Sequence, residues 1–202
     1  FFNKIKDLKM NIKIGQNSKI PSELALKKNP HTIVLFNEKQ SSPLLSRSLL
    51  PTIKRQGGKI SDLKKSAISA ELDNGNLVTW LMVSDNKSTF QIQTLLRKSF
   101  EKILSENPKS IVIVNESKKH EEWTKQAVYV ASINSQNLPD LKSDAKRKNL
   151  KSIDVFGITK TNFKDIEALV AGNTLTRELT ITPPNQLTPT IYRQKIKKLS
   201  KD

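Results

Sequence analysis

The stretch HTIVLF (31–36) is a β-branched apolar run bounded by polar residues, and SIVIVN (110–115) has the same character. Apolar runs of this length without alternation predict strands covered on both faces. KSIDVFGI (151–158) predicts a third strand, and MNIKI (10–14), which alternates apolar and polar positions, predicts a half-buried one. AISAEL (67–72) and LVTWLMV (77–83) flank DNGN, and an Asn-Gly between two apolar runs predicts a β-hairpin.

Between these runs the apolar period lengthens from two to between three and four. Residues 43–58 predict a helix that starts at Pro43, is kinked or interrupted at Pro51 and stops at Gly57-Gly58. After Ser88, the positions Phe90, Leu95, Leu96, Phe100, Ile103 and Leu104 define an amphipathic helix, and Pro108 lies just beyond its end. Residues 120–136 predict a helix with Glu121 and Glu122 in its first turn, where carboxylates suit the helix dipole. Residues 138–150 read as a polar, basic surface loop. Residues 162–180 predict a helix with Ile166, Leu169, Val170 and Leu179 on its apolar side. Thr188 as N-cap and Pro189 in the first turn then open a last helix. Strands alternating with helices predict an α/β domain over residues 10–160, with a mixed, mostly parallel sheet and helices on both faces. The two helices after residue 160 follow no further strand and read as connector helices.

Charge complicates the picture. The 202 residues include 35 Lys and Arg against 19 Asp and Glu, a net charge of +16. Such an excess attracts nucleic acid or an anionic surface. Its densest cluster, KSDAKRKNLK (142–151), has no aromatic residue, and arginine forks are scarce along the chain. Base reading favours both, so a solvated lysine-rich surface is preferred, with a basic nucleic-acid-binding α/β module as the alternative. The absence of cysteine excludes disulfides and thiolate metal sites, and fits a reducing compartment. No apolar run approaches the roughly 18 residues that span a bilayer. FFNKIKDLKM is too short and too charged for a secretory signal. Met10 reads as a natural start, so residues 1–9 are expected to be an upstream extension or an artefact.

Residues 1–160 hold no assignable chemistry. There is no GxGxxG or P-loop pattern, and Gly57-Gly58 alone reads as a helix stop. His31 and His120 are the two histidines, and they lack paired metal-ligand spacing. His120 with Glu121 and Glu122 reads as a solvated helix start rather than a ligand cluster. Glu121 and Glu122 are adjacent on one helix and do not converge as a catalytic carboxylate pair. No G-x-S-x-G elbow is present. Trp80 and Trp123 lie on a strand and a helix, where packing is the default role.

The stretch TRELTITPPNQLTP (176–189) is different. Pro183 forbids continuation of the preceding helix and pushes Thr182 out of the α region. Asn185 can hydrogen-bond nearby backbone in a turn, and Thr188-Pro189 restarts a helix. Such a joint aims one rigid body relative to another. The stretch resembles the leucyl aminopeptidase (cytosol aminopeptidase) family of two-metal exopeptidases. There a long helix from the N-terminal domain leads into the pattern A-R-D-L-x-N-x-P-P-N-x-L-T-P. Arg177, Glu178 and Leu179 match its first element, Thr182, Pro183, Pro184 and Asn185 its centre, and Leu187, Thr188 and Pro189 its close. Thr176 stands where alanine is usual, and Ile181 where asparagine is usual.

The resemblance implies a macro-domain-like fold followed by connector helices. Residues 161–202 then comprise the connector helix, the Pro-Pro joint and the first helix of a C-terminal catalytic domain. That domain would bind two divalent metals, manganese or zinc, through a lysine and several carboxylates, to polarise the scissile carbonyl and activate water. Family segments resembling GKGVTFDTGG and NTDAEGRL do not occur here, so no catalytic and no metal residue is assigned in this chain. Peptide substrates, a homohexamer and a cytoplasmic location follow from the same resemblance. An unrelated α/β ligand-binding domain with a similar tail is the remaining alternative.

Overall fold

Burial along the strands sorts their side chains onto two faces of one sheet. A computed structural model describes residues 12–39, 43–117, 121–136 and 150–199. Six strands are found among these: β1 (Lys13–Asn17), β2 (His31–Phe36), β3 (Ile68–Glu71), β4 (Leu77–Met82), β5 (Ser110–Asn115) and β6 (Ser152–Phe156). They form a single sheet in the order β1-β6-β5-β2-β4-β3. Four of the five pairings are parallel, and β3 with β4 is the antiparallel hairpin. DNGN closes that hairpin: Gly75 takes φ +81°, and its N–H donates to the Leu72 carbonyl.

Helices α3 (Thr89–Ser105), α4 (Glu121–Asn134) and α5 (Lys164–Ile181) pack on one face. They cover Ile33 and Leu35 of β2, Ile111 and Ile113 of β5, and Ile153 and Val155 of β6. The alternate residues, among them Val34, Phe36, Trp80, Val112 and Val114, meet the other layer. That layer is α1 (Glu23–Leu26), α2 (Ser46–Arg55) and a 3-10 turn (Ile60–Lys64), which contribute Leu26, Leu49, Ile53 and Leu63. With both faces covered, the central strands are mostly apolar on both sides, as in the runs Ile33–Phe36 and Ile111–Val114, and the polar Thr32, Thr79 and Asn115 are buried with them. The helix α6 (Pro189–Leu199) lies beyond these layers and contributes no buried side chain among residues 189–198.

Several expectations need correction. Of the strand expected at 10–14, residues 10 and 11 lie outside the described residues, Ile12 precedes the strand, and β1 runs on to Asn17, pairing with β6 from Lys13↔Ser152 to Asn17↔Phe156. An edge strand has a neighbour on one side only, so its apolar pattern is a weak guide to its ends. Pro43 opens a turn, and α2 starts three residues later. The helix runs through Pro51 without interruption. Pro51 is exposed, while Leu49 and Ile53 beside it are buried, so packing outweighs the one lost backbone bond. Gly57 (φ +67°) and Gly58 do end α2, with N–H bonds to Lys54 and Ile53 respectively. The apolar stripe of α3 starts at Ile92, because Phe90 in the first turn is 78% exposed. Leu169 of α5 is also exposed, and Leu179 is half-buried.

Candidate functional site

The proline-rich stretch 176–189 folds as two helices around a tight turn. α5 ends at Ile181, and Thr182 is extended (φ −69°, ψ 122°), as a residue before proline must be. The Thr182 hydroxyl donates back to the Glu178 carbonyl at 2.6 Å, and its backbone N–H reaches the same oxygen at 3.1 Å. The Pro183 carbonyl accepts the N–H groups of Gln186 (2.9 Å) and Leu187 (3.0 Å). The turn is thus closed by backbone, while the Asn185 side chain is exposed. Thr188 caps α6, its hydroxyl accepting from Ile191 at 3.4 Å, and Pro189 fills the first helical position, where an N–H would be unpaired. Pro184 and Pro189 are exposed, and Pro183, Leu187 and Thr188 half-buried.

Arg177 ties the stretch to the domain. Arg177 donates from Nη1 to the Ile133 carbonyl at 3.0 Å, in the last turn of α4. That carbonyl, at the frayed end of the helix, also accepts the Gln136 N–H at 3.3 Å, and a cation suits a helix C-terminus. Arg177→Ala is expected to lower the unfolding free energy by about 1.5 kcal/mol, the worth of a hydrogen bond to a charged group, as read by urea titration.

The other candidates disperse. His31 sits at the start of β2 and pairs through Nε2 with Glu106 at 2.7 Å, far in sequence from α4. His120 and most of the basic cluster 142–151 lie outside the described residues. Glu121 and Glu122 open α4 but engage different partners, Thr161 and Gln126. Trp80 and Trp123 are both buried in the core, at 0% and 2% exposure. Among the described residues no three His, Asp or Glu side chains gather as metal ligands. The described residues thus offer no ligand set for the two metals, which the resemblance places in a C-terminal domain. No helix among them is long and apolar enough to cross a membrane.

Two features had no signature in the sequence. A cavity of about 600 Å³ opens at the carboxyl ends of β1, β5 and β6, among Ser18, Lys19, Asn115, Glu121, Gly157 and Thr159. Nearby, Glu116 accepts the Leu44 N–H at 3.0 Å and Glu23 accepts the Leu45 N–H at 2.9 Å. The two carboxylates hold a turn in which Leu45 adopts φ +60°. Burial pushes the Glu116 carboxyl above the usual range and the Glu23 charge adds to this, against the lowering effect of the Leu44 bond. A raised folded-state value favours the protonated form, so this stabilising term is full below the ordinary carboxylate range and lost as pH rises through the raised value. Glu116→Gln keeps an acceptor for Leu44 and removes the buried charge. The variant is expected to exceed the parent in stability at about pH 7.5, with the gap closing by about pH 4, in urea titrations across pH.

No protein-family sequence model matches the chain, and no curated protein matches it. Solved structures do match its fold. A tomato leucine aminopeptidase mutant superposes with a TM-score of 0.67 at 17% identity, over 94% of this chain and 42% of that one. A leucyl aminopeptidase from Trypanosoma cruzi gives 0.57 at 16% identity, over 95% and 41%. The bottromycin maturation enzyme BotP, solved in complex with Mn, gives 0.55 at 12% identity, over 85% and 36%. The chain thus has the fold of part of a leucine aminopeptidase, the family that residues 176–189 resemble. It spans less than half the length of each of these structures.

Proposed function

We propose that this chain is the N-terminal, non-catalytic portion of a leucyl-type metallo-aminopeptidase. Residues 10–160 are its N-terminal α/β domain, and residues 161–202 the connector helix, the Pro-Pro joint and the first helix of the catalytic domain. The observation that carries this reading is the fold match, which covers 94% of this chain but 42% of the tomato enzyme. The order Arg177-Glu178-Leu179, Thr182-Pro183-Pro184-Asn185, Leu187-Thr188-Pro189 supports it independently. So does α6, which leaves Tyr192 (45%) and Ile196 (49%) exposed where a following domain would cover them.

On this reading the whole protein removes N-terminal residues from peptides in the cytoplasm, as a homohexamer. Two divalent metals, manganese or zinc, held by its C-terminal domain supply the Lewis acid and the activated water. The share of this chain is to aim that domain through Arg177 and the joint. In the test, the whole protein releases leucine from a leucyl peptide only when manganese or zinc is supplied. Residues 1–202 release none under either condition. Metal-dependent turnover by residues 1–202 that survives further purification overturns the assignment of roles. An inactive whole protein with intact downstream ligands overturns the family reading.

A further inference from the structure

An open parallel sheet leaves a crevice at its carboxyl edge, where strand ends give way to diverging connections. Here the crevice is the cavity of about 600 Å³ over β1, β6 and β5. Its walls are tied together over long sequence distances. Gln16 of β1 pairs both ways with the Thr161 backbone, donating from Nε2 at 2.9 Å and accepting at 2.8 Å. The segment after β6 is thereby fixed to β1. The buried Thr161 hydroxyl in turn donates to Glu121 Oε1 at 3.0 Å, which sets the direction of a carboxylate that remains 48% exposed.

Charge then selects the ligand. The N-terminus of a helix by itself attracts an anion. Glu121 and Glu122 occupy the first turn of α4 and reverse that preference. Lys125 Nζ already lies 3.4 Å from Glu121 Oε1, so this carboxylate accepts an ammonium, and a ligand's ammonium would replace that lysine on an acceptor that Thr161 positions. Lys19 lines the same cavity and supplies a cation for a carboxylate, and Ile20 and Ile158 add apolar wall. The set therefore matches a small zwitterion with an apolar side chain.

We propose that this cavity binds a free apolar α-amino acid, with its ammonium on Glu121 and its carboxylate on Lys19. On the aminopeptidase reading, on which this one consequence rests, the ligand is of the class the whole enzyme releases.

Calorimetric titration of the 202-residue chain with L-leucine tests the proposal. Saturable binding in the millimolar range or tighter is expected. N-acetyl-leucine, which has no ammonium, and leucinamide, which has no carboxylate, should each bind about tenfold more weakly or worse. Glu121→Gln and Lys19→Met alter exposed side chains, and each should weaken leucine by about tenfold while leaving circular dichroism unchanged. Lys98→Met, on α3, should leave binding unchanged. Absence of leucine binding overturns the proposal, as does N-acetyl-leucine binding as well as leucine, or inorganic phosphate binding more tightly than either. If a variant loses its fold, the ligand series on the parent chain decides alone. No peptide is hydrolysed in this assay, so its failure leaves the aminopeptidase reading standing, and an inactive whole protein leaves the cavity proposal standing.

Discussion

Gly157→Ala is expected to cost about 3 kcal/mol of folding stability, and Gly75→Ala about 1 kcal/mol. Both glycines take φ +81°, so both replacements place an L-residue in the left-handed region at the same backbone cost, about 1 kcal/mol. They differ in surroundings. Nothing lies within 4 Å of a Cβ built on Gly75. A Cβ on Gly157 overlaps the carbonyl oxygen of Asn115 and comes within 3.2 Å of Ile20 Cγ1. That carbonyl belongs to β5, whose Asn115 is itself buried and donates to the Thr124 hydroxyl at 2.9 Å. The Ile20 side chain can shift by a few tenths of an ångström, but the Asn115 carbonyl is backbone and cannot, so β5 and β6 must separate. The bond from the Gly157 N–H to the Asn17 carbonyl (2.9 Å) is strained in the process. Overpacking of this kind adds about 2 kcal/mol. Urea titration of both variants measures the difference. Equal losses at the two sites would show that β5 and β6 relax without penalty.

How well the sequence foretold each element follows from how local its determinants are. The bounds of β2 and β5 coincide with HTIVLF and SIVIVN because two covered faces demand a run of apolar residues, and polar residues stand only at its ends. DNGN marks the hairpin because the positive φ it needs is a property of one residue. β1 runs on to Asn17, past the strand expected at 10–14, because KIGQN holds a single large apolar residue and its register is set by β6, some 140 positions away. Phe90 and Leu169 satisfy a helical period yet face solvent, since periodicity reports an apolar side and not what lies opposite it.

The two sites divide in the same way. Thr182-Pro183-Pro184 constrains its own backbone, so the bend between α5 and α6 was legible. The cavity draws on residues 18–20, 115, 121 and 157–159, which the order β1-β6-β5 alone brings together. No local spacing encodes that meeting. Glu116 reads as an ordinary surface acid until the turn at Leu44 and Leu45 folds over it.

Trp80→Ala is expected to lower the unfolding free energy by about 4 kcal/mol, and Trp80→Phe by about 1.5 kcal/mol. Trp80 is fully buried on β4, opposite Val34 of β2 and Ile68 of β3, against the layer of α2 and the 3-10 turn. Its indole N–H donates to the Leu44 carbonyl at 2.8 Å. Leu44 is therefore held on one side by Trp80 and on the other by Glu116. Alanine leaves a cavity beneath α2 and an unpaired carbonyl in the turn that opens it, and both effects have the same sign. Phenylalanine refills most of the volume, so its smaller loss isolates the hydrogen bond. A domain of this size is stable by about 5–15 kcal/mol, so Trp80→Ala stays folded in water but unfolds at much lower urea. Circular dichroism reports the transition, and the remaining Trp123, buried on the opposite face with its indole N–H on the Ser84 carbonyl at 3.3 Å, gives a second probe. Coincident transitions from the two probes would show that the faces unfold together, so that the lost contact lowers the stability of the whole sheet. A fluorescence midpoint that stays at the parent value while dichroism shifts would show instead that α2 detaches by itself, and the expected loss would then belong to that layer alone.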